Sequence, residues 1–179
     1  MKKLIAIILL ILISLLIFFL QSDLFNWFNI SGIKPNLFII LTLLIGLFIG
    51  NKVGVIFGFI IGIFIDVLTN QDLGCTSMML SIIGLLGEFF DRFFSKDNKI
   101  TIMLTTAGST IIYELGMYVL KIVKYNITIE IIQFFKIASI ESIYNVILVI
   151  ILYPIIKRIG EYIEKTLKNK EFLRNYFDI

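Results

Sequence analysis

The sequence predicts an all-α membrane protein, a bundle of six transmembrane helices with little mass outside the bilayer. Three features predict it: the apolar content, the spacing of the apolar runs, and the side of the membrane on which the basic residues fall. Of 179 residues, 59% are hydrophobic and only 16% are charged, and the mean hydropathy is +1.00. A soluble domain carries roughly 25% charged and ~45–50% apolar residues, and a fold of this size has too little interior to hide the surplus.

A bilayer core about 30 Å thick takes about 20 apolar residues to cross as a helix. The first run, residues 4–20, is interrupted only by Ser14 and follows Lys2 and Lys3. It shares that basic start with secretory signals. It is longer than their apolar core, however, and residues 21–24 form no small-x-small cleavage site, so a retained helix is expected. Further runs cover residues 36–49, 53–68, 73–90, 100–123 and 131–153. Pro35 stands at the start of the second, where its missing N–H does no harm. Only Gly50, Asn51 and Lys52 separate the second run from the third, which implies a tight helical hairpin. The fourth run is the weakest, and a re-entrant or tilted segment is the alternative there.

Lys and Arg near the ends of spans stay on the cytoplasmic side. With the N-terminus inside and six spans, 12 of the 16 basic residues fall inside. Lys34, Lys121 and Lys124 fall outside, and Lys136 lies early in the sixth run. Five spans would put the basic tail outside. The expectation is a transmembrane domain over residues 1–156, with both ends in the cytoplasm, and a basic amphipathic tail over residues 157–179. Ile159, Tyr162, Ile163 and Leu167 recur there at helical spacing, which suits a helix lying on lipid. Acidic residues interrupt the basic ones, which argues against nucleic acid. Phe25, Trp27, Phe28 and Tyr125 are placed to anchor at the interface.

The composition also excludes chemistry. There is no His and a single Cys, Cys75, so the commonest general base, the commonest metal ligand, a disulfide and a cysteine cluster are all missing. No phosphate loop occurs, and the glycines lie inside a hydrophobic helix rather than after a strand. No catalytic, metal or cofactor site is expected.

The sharpest pattern is Gly46, Gly50, Gly54, Gly58, Gly62 and Asp66, each four residues after the last. Residues four apart share a helix face. Gly54, Gly58 and Gly62 therefore form a stripe that permits close helix approach, and Ser77, Ser81 and Gly84 on the fourth run offer the counterpart. Asp66 either fixes the turn after the third run or meets a partner. Glu114 and Glu141 lie well inside apolar runs, where carboxylates face the bundle interior or a cavity. A rise of about 1.5 Å per residue puts them at similar depth, so they could share a polar pocket with Asn145, one turn beyond Glu141. They either fix helix register, bind a partner's transmembrane helix, or line a substrate or proton path.

The stretch VGVIFGFIIGIFIDVLTNQDLGCTSMML, residues 53–80, resembles the third-span signature of the bacterial rod shape-determining MreD family. That signature is a glycine-spaced helix ending in Asp, then a polar loop with Leu-Gly; here the positions are Gly58, Gly62, Asp66, Leu73 and Gly74. Lys34-Pro35-Asn36-Leu37 and Ser142-Ile143-Tyr144-Asn145 also agree, although Asn36 stands where the family often has Asp. The resemblance implies a non-enzymatic component of the cell-elongation machinery in the bacterial cytoplasmic membrane. It implies association with the bitopic protein MreC and, through it, with the MreB filament and peptidoglycan synthases, in contact with membrane lipids. It further implies the fold of the substrate-binding subunits of energy-coupling-factor transporters. A small-molecule, vitamin-type transport subunit is therefore the alternative, with Glu114, Glu141 and Asn145 as its polar lining.

Overall fold

The computed structural model describes residues 2–24, 29–69, 73–93, 98–125 and 130–167. The expected anchors Phe25, Trp27 and Phe28, the polar residues 70–72 and the tail beyond Leu167 lie outside these. Among the described residues the fold is all helical. The helices are α1 (Lys2–Phe19, continued by a π-turn Leu20–Leu24), α2 (Leu37–Ile49), α3 (Asn51–Leu68), α4 (Cys75–Phe93), α5 (Lys99–Tyr125) and α6 (Ile131–Leu167). Three of them are long and apolar enough to cross a membrane: α3, α5 and the Ile131–Ile155 part of α6. The apolar stretches Ile8–Ser22 and Leu37–Ile49 are shorter, and α4 carries Glu88 and Asp91 towards its end.

α2 is apolar all round, and a helix of that kind belongs in an interior. It is the axis of the bundle, with nearly every residue buried. One core cluster joins it to α1 and α6 through Leu10, Leu44, Phe48, Val149 and Tyr153. A second joins it to α4 and α5 through Phe38, Leu43, Leu80, Ile83 and Tyr113. Around this axis the usual pattern is inverted. The buried residues of α3 are Gly54, Gly58, Gly62 and Asp66, while Ile56, Phe59, Ile60 and Val67 are exposed. Small and polar residues inside with large apolar ones outside is what a lipid-facing helix requires, since apolar burial gives no drive towards its neighbours there.

Two boundaries differ from the sequence reading. Only Gly50 breaks the chain between α2 and α3, with φ +121°, because Asn51 and Lys52 already belong to α3. Glycine reaches this backbone conformation at no steric cost. Pro35 precedes the helix rather than starting it. Asn36 is the N-cap, its Oδ1 accepting from the amides of Phe38 (3.2 Å) and Ile39 (3.4 Å), which satisfies donors that no helical carbonyl can reach. At the far end α6 runs on through Pro154 to Leu167, well past the apolar run.

Candidate functional site

The glycine stripe of α3 lies against α4. A Cβ on Gly58 would fall on the Leu80 carbonyl and one on Gly62 on the backbone of Ser77. Gly84 meets Gly54 in the same way, and a Cβ on Gly54 would also lie 2.8 Å from the Gly46 Cα. Gly46 and Gly54, four residues either side of Gly50, thus face each other across the hairpin while both meet α4. Ser81 turns its hydroxyl to the Ser77 carbonyl (2.7 Å), so this stripe spends its polarity within its own helix. Glu88 of α4 receives the Asn51 amide, supplying a partner to the open start of α3.

Asp66 closes the other end of this helix pair. Its side chain is fully buried, and Oδ2 accepts from the Gly74 amide at 2.9 Å. Gly74 has φ +97°, a conformation that turns its N–H back towards α3. The carboxylate therefore ties the end of α3 to the start of α4. Among the described residues Oδ1 has no hydrogen-bond partner.

A second polar seam joins α2, α5 and α6. The Asn36 amide donates to Asn145 Oδ1 (2.8 Å), and Asn145 Nδ2 donates to Thr110 Oγ1 (2.9 Å). Thr110 and Thr106 pass their hydroxyl protons back to the carbonyls of Thr106 (2.9 Å) and Ile102 (2.7 Å). Asn145 is fully buried, so it pins three helices at one point. One turn away on each helix, the side chains of Glu114 and Glu141 meet. Glu141 is 7% exposed, and among the described residues its Oε1 has no hydrogen-bond partner.

The sequence-chosen residues thus form three groups: the α3–α4 seam, the Asp66–Gly74 tie, and the Glu114–Glu141–Asn145 cluster. The buried hydroxyl stripe of α5, Thr101, Thr105, Thr106, Ser109 and Thr110, was not among them. Its repeat of three and four residues is the signal that marks it. Asn36 was noted only for lacking a charge, yet it caps α2 and bonds Asn145. The Gln21 side chain was also missed; its Oε1 accepts from the Leu37 amide (3.0 Å) and tethers α1.

Two openings lie near the Asn36 end of the bundle. A cavity of about 230 Å³ is lined by Gln21, Lys34, Asn36, Thr69, Thr76 and Tyr113, among others. A trough of about 920 Å³ lies between the Ser31–Gly32 turn and the start of α6, with Glu130, Gln133 and Lys136 on its wall. Among the described residues no group of His, Cys, Asp or Glu is arranged to hold a metal.

A family model described as rod shape-determining protein MreD matches residues 1–162. The chain belongs to the MreD family. That membership covers all six helices except the last residues of α6, and it assigns the chain to the determination of rod shape. Neither a curated protein nor a solved structure matches it.

Proposed function

We propose that this MreD-family protein is a non-enzymatic membrane scaffold of the elongation machinery, crossing the cytoplasmic membrane six times with both ends inside. It binds a bitopic MreC-type partner and through it reaches the MreB filament and the peptidoglycan synthases, so helping to organise lateral wall synthesis. One observation carries the reading: the buried side chains of Asn145, Asp66 and Glu141 each reach from one helix to another element of the bundle. Asn145 bonds Asn36 and Thr110, Asp66 bonds Gly74, and Glu141 meets Glu114. Groups used in this way hold a shape rather than turn over a substrate. The basic residues at the Gly50 end, Lys52, Lys99, Lys157 and Arg158, support an inward-facing placement of that end.

The fold of transporter substrate-binding subunits remains part of the proposal, and the trough of about 920 Å³ favours the second reading, a vitamin-type transport subunit. Against it, the cavity that reaches Asn36 and Tyr113 measures about 230 Å³, below the ~300 Å³ at which small-molecule pockets begin. Affinity purification in mild detergent decides between them. Co-elution of a one-span protein with a large extracytoplasmic part supports the scaffold; co-elution of a transporter ATPase module overturns it.

A further inference from the structure

α1 packs on α2 and α6 at Leu10, with Leu9, Ile17 and Leu20 beside it, and a groove opens between the three helices. The groove holds about 260 Å³ and is lined by Leu10, Leu16, Leu44, Phe48, Ile155 and Ile159 among other apolar residues, with Gly160 at one end. Leu37 and Ile49, the two ends of α2, both border it, so it runs ~18 Å along the helix axis. Between atom surfaces its mean width is then about 7 Å, against about 10–12 Å for a helix with side chains. No partner helix fits. One hydrocarbon chain does.

The two ends of the groove differ in charge. Lys52, exposed, follows Ile49 after the Gly50 break, and Arg158, also exposed, stands next to Ile159, with Lys157 before Arg158 and Glu161 a turn further on. Lys99 lies at the same end, its Nζ 5.3 Å from the centre of the Tyr153 ring. Of the acidic groups there, Glu88 already receives the Asn51 amide. Long basic side chains extend to the headgroup level while their stems stay against apolar surface.

We propose that this groove is the binding site of one anionic phospholipid, an acyl chain lying between α1 and α2 and its phosphate held by Arg158, Lys157 and Lys52. The lipid fills the space that the three helices leave between them. The site is independent of which protein partner the scaffold engages.

The test is mass spectrometry of the intact full-length protein in mild detergent, titrated with phosphatidylglycerol and with phosphatidylethanolamine of equal chain length. One phosphatidylglycerol is expected per chain, preferred about fivefold for each basic side chain engaged. Leu16→Trp and Ile155→Trp fill the groove from exposed positions and should cut binding of both lipids at least tenfold. Lys52→Gln with Arg158→Gln should keep binding but erase the preference. Equal affinity of the unmodified protein for the two lipids, or undiminished binding in the Trp variants, overturns the site. Should a Trp variant fail to fold, a photoreactive acyl chain on the unmodified protein gives the same answer. Labelling confined to the segments carrying Leu44, Phe48 and Ile159 supports the site, and labelling elsewhere overturns it.

Discussion

Asn36 and Asn145 are 109 positions apart in the chain, yet the backbone amide of the first donates to the side chain of the second at 2.8 Å. Asn145 thereby stands in for the helical carbonyl that the start of α2 lacks, and it holds α5 through Thr110 as well. Hydrogen bonds between membrane helices are worth about 0.6 kcal/mol on average and about 1.7 at most. Asn145→Leu, which removes two of them and leaves a buried amide unpaired, should cost about 1–3 kcal/mol. A thermal melt in detergent reads this directly, and an unshifted midpoint would contradict the bridging role.

Gly58→Leu and Gly62→Leu should both prevent a monodisperse fold, since each side chain would occupy backbone of α4 and only small residues allow this approach. Gly108 is the internal control. Nothing lies within 4 Å of a Cβ built there, so Gly108→Ala should be neutral or up to about 1 kcal/mol stabilising. Normal expression and unchanged partner capture for both Leu variants would refute the glycine argument.

Gly74→Ala places a side chain on a residue with φ +97° and should cost about 1–2 kcal/mol. Asp66→Asn keeps an oxygen that can accept the Gly74 amide and should be much milder than Asp66→Leu, which keeps none. Comparing the three melting temperatures separates the backbone turn from the carboxylate. If Asp66→Asn melts normally but loses rod shape in cells, the negative charge itself meets a partner.

Glu141→Gln keeps the contact with Glu114 and should leave both folding and cell shape intact. Complementation of a strain lacking the protein, scored by cell width, checks this. Loss of rod shape with normal membrane insertion would instead assign the Glu114–Glu141 pair a functional charge.

Much of this was legible in the sequence for a physical reason. Helix-to-helix approach in lipid depends on small residues at fixed spacing, so Gly54, Gly58 and Gly62 announce one face of α3 without any tertiary information. The depth of Glu114 and Glu141 follows from the rise per residue, which is why their proximity could be anticipated. The central place of α2 was harder to read. A run that is apolar all round looks the same whether it faces lipid or protein, and only the contacts of Leu43 and Ile39 with their neighbours distinguish the two. Caps such as Asn36 and Glu88 depend on side chains meeting distant backbone, so local pattern alone does not rank them. The apolar part of α6, Ile131–Ile155, ends close to the run read from hydropathy, and the helix itself continues to Leu167 because hydropathy marks where a chain leaves lipid, not where its hydrogen bonding stops.

That last helix has a mechanical meaning. Its 37 residues extend about 55 Å at the usual rise, whereas the hydrocarbon layer is only about 30 Å deep. Asn145 holds it about 21 Å from its start, with about 33 Å of helix still to follow. Beyond that point Val149 and Tyr153 still pack into the core and Gly160 lies against Phe48. A displacement of either end of this helix is thereby passed to the bundle that it threads.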